Sequence, residues 1–501
     1  MSRTEPSDVP ASALAWNDLS IPGTDPLSLL RNFGPGVVLM MTGIGTSHVV
    51  TAPTAGARFA YALLWCIPVA YLAKYYGFEM AFRFTHATGK SLIDAYATAP
   101  GKWPLWYLLA VTLLQSALGQ AGRLIAAAAV PYYLVYDFFG LALPVSLYAL
   151  GLAVLAVAIL WRGNYRALET GAKLFAGVLA ASSILVYLVK PAPLSSLRHF
   201  FLVSIPEGSW LLIAGFLGLM PTGIDVSLQA SEWGRARKAG MARVRERLEA
   251  AGLAARFDPF APRQDELAVR ISRLPEQVRL YCSRWFRIAL WDFRIGHFVS
   301  LLTACLFLLL AVVWLHPRNL EGPAVMGEIA EIFLKSIGPG TAIVFFAGAF
   351  AALYSTAFNY FDGWPRVVAA CARNLFRPTA ALEGIARERL TDEHRRRWYS
   401  EYNIYRITML FSLAAAVSII AGLPRPVFLV LLASALALFI APVIYFLNIY
   451  YCLRIIPRED AGFYPSPFAV GASLASFAVF SAFTGLAMLE LIFGIHLFGR
   501  S

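Results

Sequence analysis

The sequence predicts an all-α, multi-pass membrane bundle in which the first and sixth spans are interrupted helices, and three observations predict it. Hydrophobic residues make up 58% of the 501 residues and charged residues only 14%, against about 25% charged in an average soluble domain. No water-soluble core encloses that much apolar surface. Apolar runs able to cross a hydrocarbon layer of about 30 Å recur at 34–55, 59–83, 103–138, 141–160, 167–189, 210–230, 288–315, 340–359, 407–422, 427–450 and 468–493. Two of these runs, 34–55 and 210–230, are broken near their centres by glycine, proline and small polar residues.

The first break reads Gly45-Thr46-Ser47-His48. Lipid offers no partner to free backbone groups, so non-helical backbone persists at membrane depth only where it lines a cavity or touches a bound species. The second break reads Met220-Pro221-Thr222-Gly223-Ile224-Asp225, where proline removes a donor and glycine relaxes the backbone. Interrupted helices opening each of two five-span halves point to an inverted-repeat transporter with its site at the midplane. The triplet Thr-Gly-Ile occurs in both breaks, at Thr42 to Ile44 and Thr222 to Ile224.

Arginine and lysine set the expected orientation. With the N-terminus inside, the inner loops hold Arg83, Lys90 and Lys102, then Arg162 and Arg166, then the basic stretches 235–287 and 366–406, and finally Arg454 and Arg458. The expected parts are a cytoplasmic tail at 1–33 without a cleaved signal, a first repeat plus the sixth helix at 34–233, a cytoplasmic amphipathic insertion at 234–287, the rest of the second repeat at 288–455, and a last span with an outer C-terminus at 456–501. The insertion places Val244, Leu248, Ala251 and Ala255 on one helical face over 241–258 and reads as packing on the bundle or the inner membrane surface; 387–398 reads as a solvated helical linker. The net charge of +12 belongs with membrane orientation and anionic lipid, and no nucleic-acid partner is expected. The five cysteines, lacking Cys-x-x-Cys spacing, read as small core residues, and no nucleophile–base cluster marks an enzyme.

Gly34-Pro35-Gly36, Ala55-Gly56-Ala57, the tract Tyr61 to Trp65, Arg166 to Glu169, Met220-Pro221 and Asp292 together resemble the NRAMP-type transporters of divalent metals over 32–450. The resemblance implies a LeuT-like fold of 5+5 inverted repeats. It also exposes departures. The family's Asp-Pro-Gly-Asn break, whose Asp and Asn bind the metal, aligns with Gly45, Thr46, Ser47 and His48. The methionine is kept as Met220 while the following histidine is Thr222, and acidic positions linked to proton passage align with Gln120 and Arg123.

Hard divalent cations rely on carboxylates, so losing the Asp weakens the case for a metal. The half-helices expected after His48 and after Thr222-Gly223 aim unpaired N–H groups at the centre, and Thr46, Ser47, His48 and Thr222 add side-chain donors. The expected cargo is therefore a small inorganic ion, in first place an anion such as bicarbonate, bound by Gly45, Thr46, Ser47, His48, Met220, Thr222 and Gly223. Gln120, Arg123 and Asp225 are the expected coupling or pathway groups, with H⁺ or Na⁺ as coupling ion and no resident cofactor. The alternative is a manganese or magnesium transporter with a remodelled site using Met220, Asp225 and His48. Tyr354, Ser355 and Asn359 are candidates for lining the pathway or for bonding between helices.

Overall fold

The computed structural model describes residues 43–162, 165–320, 325–337, 339–376 and 398–495, with isolated N-terminal positions at 16, 19–23, 25, 28 and 32. The start of the first span, up to residue 42, and most of the linker expected at 387–398 lie outside the described residues. A π-helical turn, Ser47–Thr51, leads into α1 (Ala52–Phe59). There follow α2 (Cys66–Thr88), α3 (Trp103–Leu114), α4 (Gln120–Phe139), α5 (Val145–Arg162) and α6 (Tyr165–Val189). The interrupted sixth span comprises α7 (Trp210–Leu219) and α8 (Val226–Ala236), and α9 (Met241–Ala250) belongs to the insertion. The chain continues through α10 (Glu276–Leu315), α11 (Val325–Ile337), α12 (Pro339–Leu375), α13 (Glu401–Gly422), α14 (Pro426–Ile455) and α15 (Pro467–Leu491).

The described residues fold as helices, turns and loops, and six helical stretches among them are long and apolar enough to cross a membrane: α3 and α4 taken together as Pro100–Asp137, and α10, α12, α13, α14 and α15; α5, α6 and α7 contribute shorter apolar segments. Several boundaries differ from the apolar runs. The run 59–83 does not begin as helix: 60–65 form turns and Ala60 has φ 49°, a conformation unfavourable to an L-residue, so α2 starts only at Cys66. Both α10 and α12 outrun their apolar windows, reaching back to Glu276 and on to Leu375. Hydropathy also missed α11, which is amphipathic and short.

Packing sorts the helices into two groups. One unites α1, α2, α8 and α10, with α1 against α10 and α2 against both α8 and α10. The other unites α4, α5, α6, α12 and α13 around α12, while α14 touches α4 and α7. Close approach of α7 to α14 depends on Gly218, where an added Cβ would run into the Ser434 carbonyl.

The insertion docks on the arginine-rich end. Its helix stops at Ala250 rather than continuing to 258, since Gly252 takes a left-handed turn with φ 71°. Arg245 carries the attachment: it is buried and donates to the carbonyls of Thr88, Ala255, Glu266 and Leu267. Asp460, beyond α14, accepts from the backbone N–H groups of Ile271 and Ser272 at 3.0 and 2.7 Å. All five cysteines are buried and free.

At the same end, a one-turn helix, Leu92–Tyr96, is closed by a capping box between Ser91 and Asp94. Arg373 of α12 reaches Asp94 at 2.9 Å, Glu232 of α8 at 3.5 Å and Glu401 of α13 at 3.1 Å. Burial opposes ionisation of Asp94, but Arg373, Arg235 and Lys90 outweigh it and hold the carboxyl well below the usual carboxylate range. A depressed folded-state pKa contributes stability above the unfolded value of about 3.9, and that contribution is lost as pH falls further. The thermal midpoint of purified protein should therefore drop as pH is lowered from about 5 toward 3. Asp94→Asn should be less stable at neutral pH, by about 3–5 kcal/mol for a broken buried pair, and should lose part of that acid dependence. Parallel melting curves of both proteins check this.

Candidate functional site

The two breaks meet. The first is a bend at Ile44 and Gly45, and the second is the non-helical segment 220–225 between α7 and α8. A Cβ added to Gly43 would stand 3.0 Å from the Pro221 carbonyl oxygen, so one break packs directly on the other. Beside this contact, Gly43, Thr222, Val226, Gln229, Trp233, Thr356, Asn359 and Tyr360 line a narrow cleft between α8 and α12.

Hydrogen bonds across the cleft join the two packing groups. Thr222 Oγ1 lies 2.5 Å from the Tyr360 hydroxyl, and Trp364 Nε1 donates to Asp225 Oδ2 at 3.3 Å. The Arg123 guanidinium of α4 lies over the Tyr360 ring, 3.7 Å from its centroid, and 5.0 Å from that of Trp364. Arg123 also donates to the Gly119 carbonyl at 2.8 Å. It thus approaches the second break through two aromatic rings, a cation–π arrangement favoured when desolvated.

Asp225 occupies the N-cap position of α8. Its carboxylate stands beside Gly223, where an added Cβ would run into Asp225 Oδ1. The positive end of that half-helix is therefore matched by the protein's own carboxylate. Met220, buried at the end of α7, completes the break with its thioether.

The first break departs from the sequence reading. Helical backbone resumes at Thr46 and Ser47, so His48 lies inside the turn rather than ahead of it. Its ring is enclosed by protein partners: Nδ1 meets Ser47 Oγ at 3.1 Å, and Nε2 meets the Tyr71 hydroxyl at 2.8 Å and Ser300 at 2.9 and 3.0 Å. His48 ties α1 to α2 and α10 and does not line the cleft. Thr46 and Ser47 are buried alongside it. Gln120 donates to the Ala357 carbonyl of α12 at 2.9 Å, so its amide nitrogen is used between helices. Tyr354 and Ser355 bond the carbonyls of Leu152 and Ala352, whereas Asn359 lines the cleft.

Three contributors escaped the sequence reading. Lys74 of α2, fully buried, donates to the carbonyls of Gly218 and Thr222 at 2.9 and 3.0 Å. A lone lysine inside an apolar span was the available signal, since such residues face the bundle interior. Gln229 lines the cleft, and its Nε2 has no hydrogen-bond partner among the described residues. Thr356 fills the space beside Gly45, so that any Cβ there would collide with its side chain. Among the described residues no group of three or more His, Cys, Asp or Glu side chains converges as a metal cage.

A helical bundle with two unwound segments apposed in its interior, each bearing polar groups, defines a membrane transporter rather than an enzyme. The chain belongs to the Nramp family: the model of natural resistance-associated macrophage protein-like proteins matches residues 36–454. An uncharacterized protein of Pasteurella multocida is 22% identical over 348 residues, covering 66% of this chain and 68% of the relative. The divalent metal cation transporter MntH of Chromohalobacter salexigens is 28% identical over 193 residues, a match spanning 37% of this chain and 43% of that protein. Among solved structures, a manganese transporter of Eremococcus coleocola in complex with an aromatic bis-isothiourea substituted compound superposes with a TM-score of 0.62 at 15% identity, covering 97% of this chain and 93% of the other. Mhp1, a nucleobase-cation-symport-1 family transporter, superposes at 0.53 and 12% identity over 93% of this chain and 94% of its own. These likenesses establish the LeuT-like fold.

The fit of Thr356 against Gly45 predicts the behaviour of a restored carboxylate. Gly45→Asp alone should destabilise the protein by about 1–3 kcal/mol through overpacking. Adding Thr356→Ala should recover most of that loss, as read by thermal unfolding of the single and double variants.

Proposed function

We propose that this chain carries a small inorganic ion across the membrane by alternating access, with the cleft beside the two breaks and the second break itself as its binding site and divalent metal cations as the class of cargo. The observation that carries this reading is the donor pair of the second break. Met220 brings a thioether and Asp225 a carboxylate to one buried segment, a combination that suits a transition-metal cation and offers an anion nothing. The relatives named as divalent metal cation and manganese transporters support the same class. Bicarbonate, the first expectation from sequence, has no counterpart among them. Backbone carbonyls of the two breaks and the polar side chains of Thr222, Gln229 and Asn359 would supply the remaining oxygen ligands in place of the missing Asp. The arginine-rich end faces the cytoplasm in this reading.

A second reading, a small anion, is favoured by one specific observation. Arg123 packs on Trp364, the indole that donates to Asp225, and Lys74 adds another basic group beside the same break. A dication placed there meets no net negative charge, whereas an anion does not require one.

Uptake into proteoliposomes separates the two. The metal reading expects radiotracer manganese to accumulate, to be abolished by a chelator, and to fall by roughly tenfold or more in Met220→Ala, the loss of one ligand being worth at least about 1.4 kcal/mol. Uptake of radiolabelled bicarbonate or nitrate that survives the chelator, with no manganese flux, would overturn it in favour of the anion. Arg123→Gln should then abolish that uptake.

A further inference from the structure

A broken helix inside a bundle leaves carbonyl oxygens without donors at the C-terminal end of its first half. In α7 the problem falls on Gly218: position 221 is proline and has no N–H to offer, and residue 222 has already left the helix. Lys74 supplies the missing donor. Its Nζ reaches the Gly218 carbonyl at 2.9 Å and the Thr222 carbonyl at 3.0 Å, spanning the break from one side to the other. The side chain is wholly buried in α2.

Half-helix C-termini and unwound carbonyls are the groups that hold a monovalent cation in transporters with broken helices. Here both named oxygens are taken by an ammonium from the protein itself. We propose that Lys74 is a positioning residue of the transport cycle, a tethered cation that closes the α7–α8 break where a dissociable monovalent ion would otherwise sit. This rests on reading the apposed breaks as the transport site.

A tethered ammonium and a free cation are interchangeable in charge but differ in whether they leave. A charge-assisted hydrogen bond to each carbonyl fixes the angle between α7 and α8. Methionine at position 74 would keep the volume and lose both bonds. Alanine would lose both bonds and open space beside the same two oxygens, which a small cation of the right size can then occupy.

Purified full-length protein is melted in NaCl, KCl, methylammonium chloride and choline chloride at matched ionic strength, and uptake of manganese and of bicarbonate is measured in the same salts. Wild-type protein should melt at one temperature in all four salts and transport equally in Na⁺ and choline. Lys74→Ala should gain a rise in melting temperature in Na⁺ or methylammonium that choline does not give. Lys74→Met should remain folded and lose roughly tenfold or more of the uptake rate, the scale expected for two lost charge-assisted bonds. Na⁺-dependent melting or uptake in the wild type overturns the proposal. So does a Lys74→Met protein within about twofold of wild-type rate, or a Lys74→Ala protein whose melting ignores small cations. If Lys74→Ala does not purify, Lys74→Met and the wild-type salt series decide. The melting arms need no cargo, so an error in the cargo class leaves them standing.

Discussion

The backbone of the second break must find hydrogen-bond partners inside an apolar bundle, and much of the arrangement around it follows from that constraint. An unpaired buried carbonyl costs about 1–3 kcal/mol, and no water is at hand in the hydrocarbon region to relieve it. Gly218 brings α7 against α14, and Pro221 removes a donor that would have capped α7. A long side chain from a third helix therefore completes the break. Lys74 does so from α2, which in turn packs on α8 and α10. The helices that close the break thus form a unit, and the cleft opens between that unit and α12.

Charge beside the cleft is distributed around an aromatic ring. Asp225 and Arg123 do not meet as an ion pair; the indole of Trp364 stands between them, donating to one and accepting the other over its face. Such an arrangement satisfies both charges without a direct ion pair. The side of Gly45 is not a hollow, because Thr356 of α12 occupies the space a side chain there would need. A larger residue at position 45 therefore requires a smaller one at position 356.

The membrane class, the two breaks and the family were legible in the sequence because each is written in local chemistry: apolar runs, a Met-Pro-Thr-Gly interruption, a recurring order of motifs. The pairing of the breaks was legible only in outline, through the shared Thr-Gly-Ile triplet. What escaped was direction. His48 sits one residue into a helical turn rather than at its head, and that shift sends its ring to Tyr71 and Ser300 instead of the cleft. Gln120 likewise points to the Ala357 carbonyl, a choice fixed by the neighbouring helix and invisible in an alignment. Lys74 was overlooked because the breaks drew attention to residues in the interrupted helices themselves, whereas the group that repairs a break comes from elsewhere in the chain.

The arginine-rich end imposes a second condition on any motion at the cleft. Arg373 of α12 holds Glu232 of α8 and, through Asp94, the turn that follows α2. Trp233 of α8 donates to Asp362 of α12, which also binds Arg366 and Tyr405. Every one of these contacts crosses or anchors the same boundary that Thr222–Tyr360 and Asp225–Trp364 cross deeper in the bundle. Separating α8 from α12 at that end strips Glu232 from Arg373, but Glu401 of α13 stays with it, so the guanidinium keeps an acidic partner. A buried ion-pair cluster with more acids than bases at its centre can therefore release one partner without the penalty of an isolated charge. The cost of opening falls on Glu232, and Arg235, which donates to that carboxylate from the same helix at 2.9 Å, travels with it.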